Sequence, residues 1–409
     1  DLANNSYAGI ADTTTLNFST LASGGAVSLN SVSSGVGGFA MGGQSAADYT
    51  GYSVSNAGDV NGDGYDDLIV GAYGADPASR NTAGTSYVVF GGPGFTGINL
   101  SNVAAGIGGF VMNGAGASDY SGISVSSAGD VNGDGLADLL VGANGSDPSG
   151  RTNAGSTYVV FGKAGTTAVE LSNIANGSGG FVIKGPSNGT DIGHSVSSAG
   201  DVNGDGLADV IVGSYPDSTN GSYAGRSYVV MGKSTTTAVE LSDIASGNGG
   251  FVMTGAAAND ASGYAVSSAG DVNGDGLADL IVAGSGYKVS VVFGQSNNTA
   301  INLSAVNGGT GGFLVQGLTT SDYAISSVAN AGDVNGDGLA DLIIGNSNAS
   351  TYAGKSYVVF GKTSGGTVQL TDVVNGNGGF VMNGQTSYDY SGCSVSSAGD
   401  VNGDGLADL

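Results

Sequence analysis

Asp130-Val131-Asn132-Gly133-Asp134-Gly135-Leu136-Ala137-Asp138 is written, with small changes, six times in a chain of 409 residues. The other copies open at Asp59, Asp201, Asp271, Asp333 and Asp400. Oxygen-bearing side chains stand at positions 1, 3, 5 and 9, with Gly at positions 4 and 6. This spacing suits a hard cation. Calcium takes about 6–8 oxygens from carboxylates, amides, main-chain carbonyls and water, and alternate residues of a tight loop can point inward together. Gly at position 6 permits the sharp turn because it has no Cβ to penalise positive φ. Position 7 contributes only a carbonyl.

The expected ligand sets, one Ca²⁺ per repeat, follow from that pattern. They are Asp59, Asn61, Asp63, Tyr65 and Asp67; Asp130, Asn132, Asp134, Leu136 and Asp138; Asp201, Asn203, Asp205, Leu207 and Asp209. The remaining three are Asp271, Asn273, Asp275, Leu277 and Asp279; Asp333, Asn335, Asp337, Leu339 and Asp341; and Asp400, Asn402, Asp404, Leu406 and Asp408. The nine positions resemble the start of an EF-hand loop, but no Glu stands at position 12. Apolar runs such as Leu68-Ile69-Val70 and Leu139-Leu140-Val141 follow instead, so a strand, not a helix, leaves each loop. Asp, Asn and Gly are also ordinary turn residues, and a single copy would read as an Asx turn without metal. Six copies, each gathering three carboxylates that repel one another when no cation is present, favour the metal reading.

Composition agrees. Net charge is −25, with 34 acidic residues against 9 Lys and Arg, and three of the acidic residues in every copy belong to the pattern. Much of the acidity is thus a ligand inventory. No basic cluster is available for phosphates, which argues against nucleic acid. Anionic membranes would be repelled, and no apolar run of about 20 residues spans a bilayer. Gly is very abundant at 79 residues, without a Gly-X-Y period, which fits many tight turns and disfavours long helices. One cysteine, Cys393, excludes an intramolecular disulfide framework. There is no initial Met and no leader-like segment, so a mature or trimmed product is expected.

Other motifs share the loop's period. Gly-Gly-Phe recurs at Phe39, Phe110, Phe181, Phe251, Phe313 and Phe380. Tyr-Val-Val-(Phe/Met)-Gly recurs at Tyr87, Tyr158, Tyr228 and Tyr357, and residues 289–294 are the fourth unit's version. Each unit reads as four short strands. In the second unit these are Ile123–Ala128, half buried; Leu139–Val141, apolar throughout; Thr157–Phe161; and Gly180–Ile183. Between the last two, Leu171-Ser172-Asn173-Ile174 has the spacing of one helical turn. Asp119-Tyr120-Ser121-Gly122 has the composition of a type I turn, with Asp48, Asp260 and Asp389 in the same pattern.

Four antiparallel strands per unit, repeated six times, predict an all-β chain folded as a single β-propeller over residues 1–409. The expected blades are 46–115, 116–186, 187–256, 257–318, 319–385, and 386–409 completed by 1–45, which would close the ring. Pairing the two ends would also remove exposed sheet edges.

The motifs Val-Val-Phe-Gly, Val-Gly-Ala (70–72 and 141–143) and Asp-x-Asn-x-Asp-Gly-x-x-Asp resemble the FG-GAP repeats of integrin α-chain propellers, in the version found in large bacterial secreted and surface proteins. The resemblance implies Ca²⁺ in the loop between the first and second strands of each blade, on one rim. Integrin propellers have seven blades and carry the loop in only some. Six loops in six units depart from that pattern, so a seven-bladed ring with a blade beyond Leu409 stands as the alternative.

No catalytic set is evident. The sole His194 and Cys393 occupy one column with Tyr52, Ile123, Tyr264 and Ser326, and are expected to be packing residues. Glu170 and Glu240, the only Glu residues, lie in the same connector motif. The function expected is a non-enzymatic, calcium-stabilised extracellular or cell-surface module, structural or adhesive, with other protein subunits (self-assembly) or surface glycans as partners. A lectin using Tyr49, Tyr120, Tyr323 and Tyr390, and a non-catalytic propeller attached to a larger secreted hydrolase, are the alternatives.

Overall fold

The computed structural model describes residues 29–36, 38–93, 97–284, 288–317 and 325–409. Alternation of small polar and apolar residues, followed by a β-branched run, produces the same sheet five times. In the first unit the strands are Ser53–Gly58, Asp67–Ala72, Thr85–Val89 and Gly109–Asn113. In the second they are Val125–Gly129, Asp138–Ala143, Ser156–Val160 and Gly180–Lys184. The third, fourth and fifth sheets repeat this order, beginning at Ser195, Ala265 and Ser327. Neighbours within each sheet are antiparallel. A bulge displaces the register at the end of every first strand, between Ser127 and Gly129 in the second unit. It turns the chain into the rim loop, as an extra residue on one strand does.

One element was not expected. Residues just before each short helix form a parallel strand on the outer edge of the preceding sheet. Val169–Glu170 pairs with Met112–Asn113, Val239–Glu240 with Ile183–Lys184, and Ile301–Asn302 with Met253–Thr254. Each unit thereby covers the edge its predecessor would otherwise expose. The helical turn read at Leu171 is present as Leu171–Ala175, with Leu171 and Ile174 buried. Arg80 and Glu170 reinforce the crossover through an ion pair of 2.7 Å, and Arg151 pairs with Glu240 at 2.6 Å.

The core lies between sheets. Ala57, Val60, Ile69, Val88, Phe110 and Met112 of the first sheet pack in one cluster with Leu139, Val141 and Tyr158 of the second. The same arrangement joins second to third, third to fourth and fourth to fifth. First strands also lie side by side: Val125 N–H donates to Ser53 Oγ at 3.0 Å, and Val196 N–H to Ser124 Oγ at 3.2 Å. This is the blade stack of a propeller.

The sixth unit docks its first segment on the fifth, Val395 N–H donating to Ser327 Oγ at 3.1 Å. Among residues 386–409 the one bridge internal to the unit is Gly399 to Asp408, and of residues 1–45 the described part includes Met41–Gly42, paired in parallel with Ile98–Asn99 of the first unit. The expected completion by residues 1–45 falls largely outside the described residues. The two ends of the stack differ from its middle. Val54 is 62% exposed where Val125 is 5%, and Phe380 is 39% exposed where Phe110 is fully buried.

The type I turn read at Asp119 is corrected. Tyr120 has φ 54°, and Tyr49 and Tyr390 have φ 52° and 53°, outside the range of a type I turn's first central residue. Asp119 instead accepts from the Gly116 N–H behind it, at 2.7 Å. Cys393 is exposed, which corrects its reading as a packing residue.

Glycines make tight joints between blades. Gly200 has φ +74°, and a Cβ built there would stand 2.5 Å from the Cβ of Ala278 in the next unit. Gly200→Ala should cost about 2 kcal/mol or more, from the left-handed backbone and the inter-blade clash together, read by denaturant unfolding.

Candidate metal centre

The six loops fold alike because the same side chains accept the same amides. In the second loop, Asp130 Oδ1 accepts from Gly133 N–H at 2.7 Å and Asp134 N–H at 3.1 Å, and Asp130 Oδ2 accepts from Gly135 N–H at 2.9 Å. Asn132 Oδ1 accepts from Asp134 N–H at 2.8 Å, and Asp134 Oδ1 from Leu136 N–H at 2.9 Å. Asn132 Nδ2 donates to Asp134 Oδ2 at 3.0 Å. Gly133 and Gly135 sit at φ +78° and +87°, so both loop glycines, not only that at position 6, hold backbone that other residues resist. The loops at Asp59, Asp201, Asp271 and Asp333 show this network too; at Asp400 the backbone donors match, but Asn402 Nδ2 donates to Asp408 Oδ1 at 3.3 Å.

Position 9 behaves differently from positions 1, 3 and 5. Asp138 opens the second strand, is fully buried, and accepts from Val131 N–H at 2.9 Å and Gly162 N–H at 2.8 Å. It therefore pins the loop to the third strand's end. Asp67, Asp209, Asp279 and Asp341 are equally buried and make the matching bonds. Asp408 lacks the third-strand partner and accepts from Val401 and Asn402 N–H instead. Burial raises the carboxyls of Asp138, Asp209 and Asp279 to about 7, against the lowering effect of their N–H donors, with the charges at positions 5 and 1 adding to the rise.

A third feature joins loop to loop. Ala137 N–H, at position 8, donates to the carbonyl of Asp59, position 1 of the preceding loop, at 3.0 Å. Ala208, Ala278, Ala340 and Ala407 donate likewise to Asp130, Asp201, Asp271 and Asp333. Leu136 at position 7 covers the preceding loop, its Cδ2 3.0 Å from where a Cβ on Gly62 would stand. Positions 7 and 8 thus serve the neighbouring blade as well as their own loop.

The donor chemistry fits a hard divalent cation: carboxylates and an amide oxygen at fixed spacing, with a buried carboxylate whose charge is raised in energy by two others. Each carboxylate oxygen keeps acceptor capacity beyond the one or two amides it holds. As they stand, these side chains are turned onto the loop's own N–H groups. Among the described residues no three His, Cys, Asp or Glu side chains converge as a ligand cluster.

On the opposite rim, His194 packs against Tyr215 and Tyr264, ring centres 4.9 and 5.4 Å away. Its Nδ1 is buried without a hydrogen-bond partner, and burial lowers its pKa. Tyr49 stacks on Tyr73 at 5.1 Å, and Tyr120 meets the same ring edge-on at 6.4 Å. Tyr390 packs on Tyr352 at 5.5 Å, and Tyr323 lies outside the described residues.

With five such sheets and loops in place, the class of protein is a multi-bladed β-propeller. Residues 50–89, 121–160, 193–230, 262–301 and 324–359 each match the FG-GAP repeat, so the chain is a propeller carrying FG-GAP repeats, similar to those of an integrin α chain. Integrin alpha-PS2 of Drosophila melanogaster is 28% identical over 258 residues, covering 62% of this chain and 16% of the integrin. The chain therefore spans about one sixth of that relative's length. Among solved structures, BBS1N in complex with ARL6DN aligns with a TM-score of 0.34 and 13% identity over 75% of this chain and 79% of that one, a likeness too loose to carry an argument.

The buried carboxyls set a pH dependence in chelator. Their folded pKa lies above the unfolded value of 3.8, so their stabilising effect is whole below about pH 4 and is lost as pH rises through about 7. With cations removed, the melting temperature should fall between pH 5 and 8. A rise across that window would contradict the assignment.

Proposed function

We propose that the chain is a calcium-binding extracellular propeller with a structural or adhesive role and no catalysis of its own. The observation that carries this reading is the rim chain of loops. Each set of acidic donors lies in a loop that is hydrogen-bonded to the next, as Ala137 N–H to Asp59 carbonyl. Asp130, Asn132, Asp134, the Leu136 carbonyl and Asp138, with their counterparts in the other five loops, would hold the ion. Bound calcium would supply charge neutralisation for carboxylates that otherwise repel. The protein's own residues do the rest: position 9 anchors the loop to its sheet, and position 8 ties it to the preceding blade.

Similarity to an integrin α chain supports a surface setting and protein partners. No helix among the described residues is long and apolar enough to cross a membrane.

Extracellular loops of this kind bind calcium at about 10⁻⁴–10⁻³ M. At a concentration ten times Kd, one site stabilises the fold by about 1.4 kcal/mol through RT ln(1 + [L]/Kd). Six such sites would add roughly 8 kcal/mol, as much as the whole stability of an ordinary domain. Chelation should therefore lower the melting temperature sharply and speed proteolysis. Calorimetric titration should find up to six sites, with Asp134→Ala removing one. A melt that EDTA leaves unchanged would overturn the proposal.

A further inference from the structure

His194 is the chain's one histidine, and it stands at a joint between blades. It immediately precedes the first strand of the third sheet, Ser195–Gly200. Its ring meets Tyr215, which follows the second strand of the same sheet, edge-on at 4.9 Å. It also lies 5.4 Å from the ring of Tyr264, which precedes the first strand of the fourth sheet. Tyr215 and Tyr264 meet each other edge-on at 5.6 Å. The imidazole thus belongs to a three-ring cluster shared by two units. Beside it, Val266 N–H donates to Ser195 Oγ at 3.1 Å, the same tie that Val125 and Ser53 make between the first two units.

The two ring nitrogens are not equivalent. A hydrogen bond with the Tyr264 backbone, across the joint, favours the protonated ring, as a bond donated by the imidazole does. Nδ1 takes no part in it, being buried without a partner. The donor is therefore Nε2, and in the neutral ring Nδ1 is the bare nitrogen. A proton added to Nδ1 would bury an N–H with nothing to accept it, and a charge with it. The titratable groups around the ring are Tyr215 of its own unit, Tyr264 of the next, and Asp191, whose main-chain carbonyl accepts from His194 N–H at 3.2 Å. The Asp191 carboxyl and Tyr223 act electrostatically on Tyr215. None of these gives Nδ1 a hydrogen bond.

We propose that the joint between the third and fourth units is an acid-sensitive hinge, loosened when His194 takes up a proton while the other joints hold. The same column carries Tyr52, Ile123, Tyr264, Ser326 and Cys393 in the other units, and none of these side chains can take up a positive charge. Burial lowers the His194 pKa from its ordinary 6.5. Its contribution to stability is therefore whole above about pH 6.5 and is lost as the pH falls through the folded value. The buried rim carboxyls act in the opposite sense and recur along the stack, so they single out no joint. The hinge does not depend on the metal reading of those loops.

The test is amide hydrogen exchange on the whole chain in millimolar calcium, at about pH 7.5 and about pH 5, with rates corrected for the intrinsic effect of pH on exchange. Val266 N–H should lose protection about ten-fold or more at the lower pH, while Val125 N–H, equally buried, keeps its own. An NMR titration of the His194 ring should share the midpoint of that loss. His194→Tyr, a residue the column already accepts at Tyr52 and Tyr264, should abolish the response, and Asp191→Asn should leave it. Where His194→Tyr does not fold, His194→Ile, the residue of Ile123, takes its place. Protection at Val266 that acid leaves unchanged, an equal loss at Val125, a response that survives removal of the imidazole, or one that disappears in Asp191→Asn would each overturn the proposal.

Discussion

The amide at position 8 of one rim loop donates to the carbonyl of the aspartate that opens the loop before it, from Ala137 to Asp59 and onward to Ala407 and Asp333. This single contact requires much of what surrounds it. The donor's side chain must be small, because the preceding unit's glycine backbone approaches it: a Cβ on Gly58 would meet the Ala137 Cβ at 2.7 Å. The accepting carbonyl stays in place only while the side chain of the same aspartate holds three amides of its own loop. The loop stays in place only while Asp67 or its counterpart grips the neighbouring strand ends from a buried position. Local loop chemistry and the stacking of blades are thus one problem, and a cation in the loop would act on both.

Much of this was legible in the sequence, for physical reasons. The four strands announced themselves because buried β-branched runs and half-buried alternation have different periods. The loops were legible because a turn that gathers carboxylates leaves a strict spacing of Asp, Asn and Gly. The helical turn at Leu171 was legible from two apolar residues three apart. Other features left no comparable mark. Val169–Glu170 forms a strand only because Met112–Asn113 of the preceding unit offers an edge, and no two-residue stretch encodes a remote partner. Arg80 and Glu170 are 90 positions apart in the chain, and their ion pair follows from that crossover.

Position 8 did leave a signal. Ala137, Ala208, Ala278, Ala340 and Ala407 are identical at a position with no ligand role, and only the packing against a neighbour's glycine explains why. Position 9 was read as a ligand alone, whereas Asp138 also anchors Val131 and Gly162. The turn at Asp119 was misread because Tyr120 adopts positive φ, a conformation tolerated where the ring packs against Tyr73 and the neighbouring amides are paired. Repetition also makes exceptions conspicuous. Tyr52 and His194 share a column and meet equivalent tyrosines, Tyr73 and Tyr215, and Ser290 is conspicuous only against four tyrosines.

The central claim is that the rim loops, through their aspartates, hold each blade to the next. Amide hydrogen exchange at Ala137, Ala208, Ala278 and Ala340, with calcium and after chelation, measures it directly. The account predicts that these four amides lose protection together, by ten-fold or more, while interior strand amides such as Val159 keep theirs. Unchanged protection at position 8 after calcium is withdrawn would contradict it.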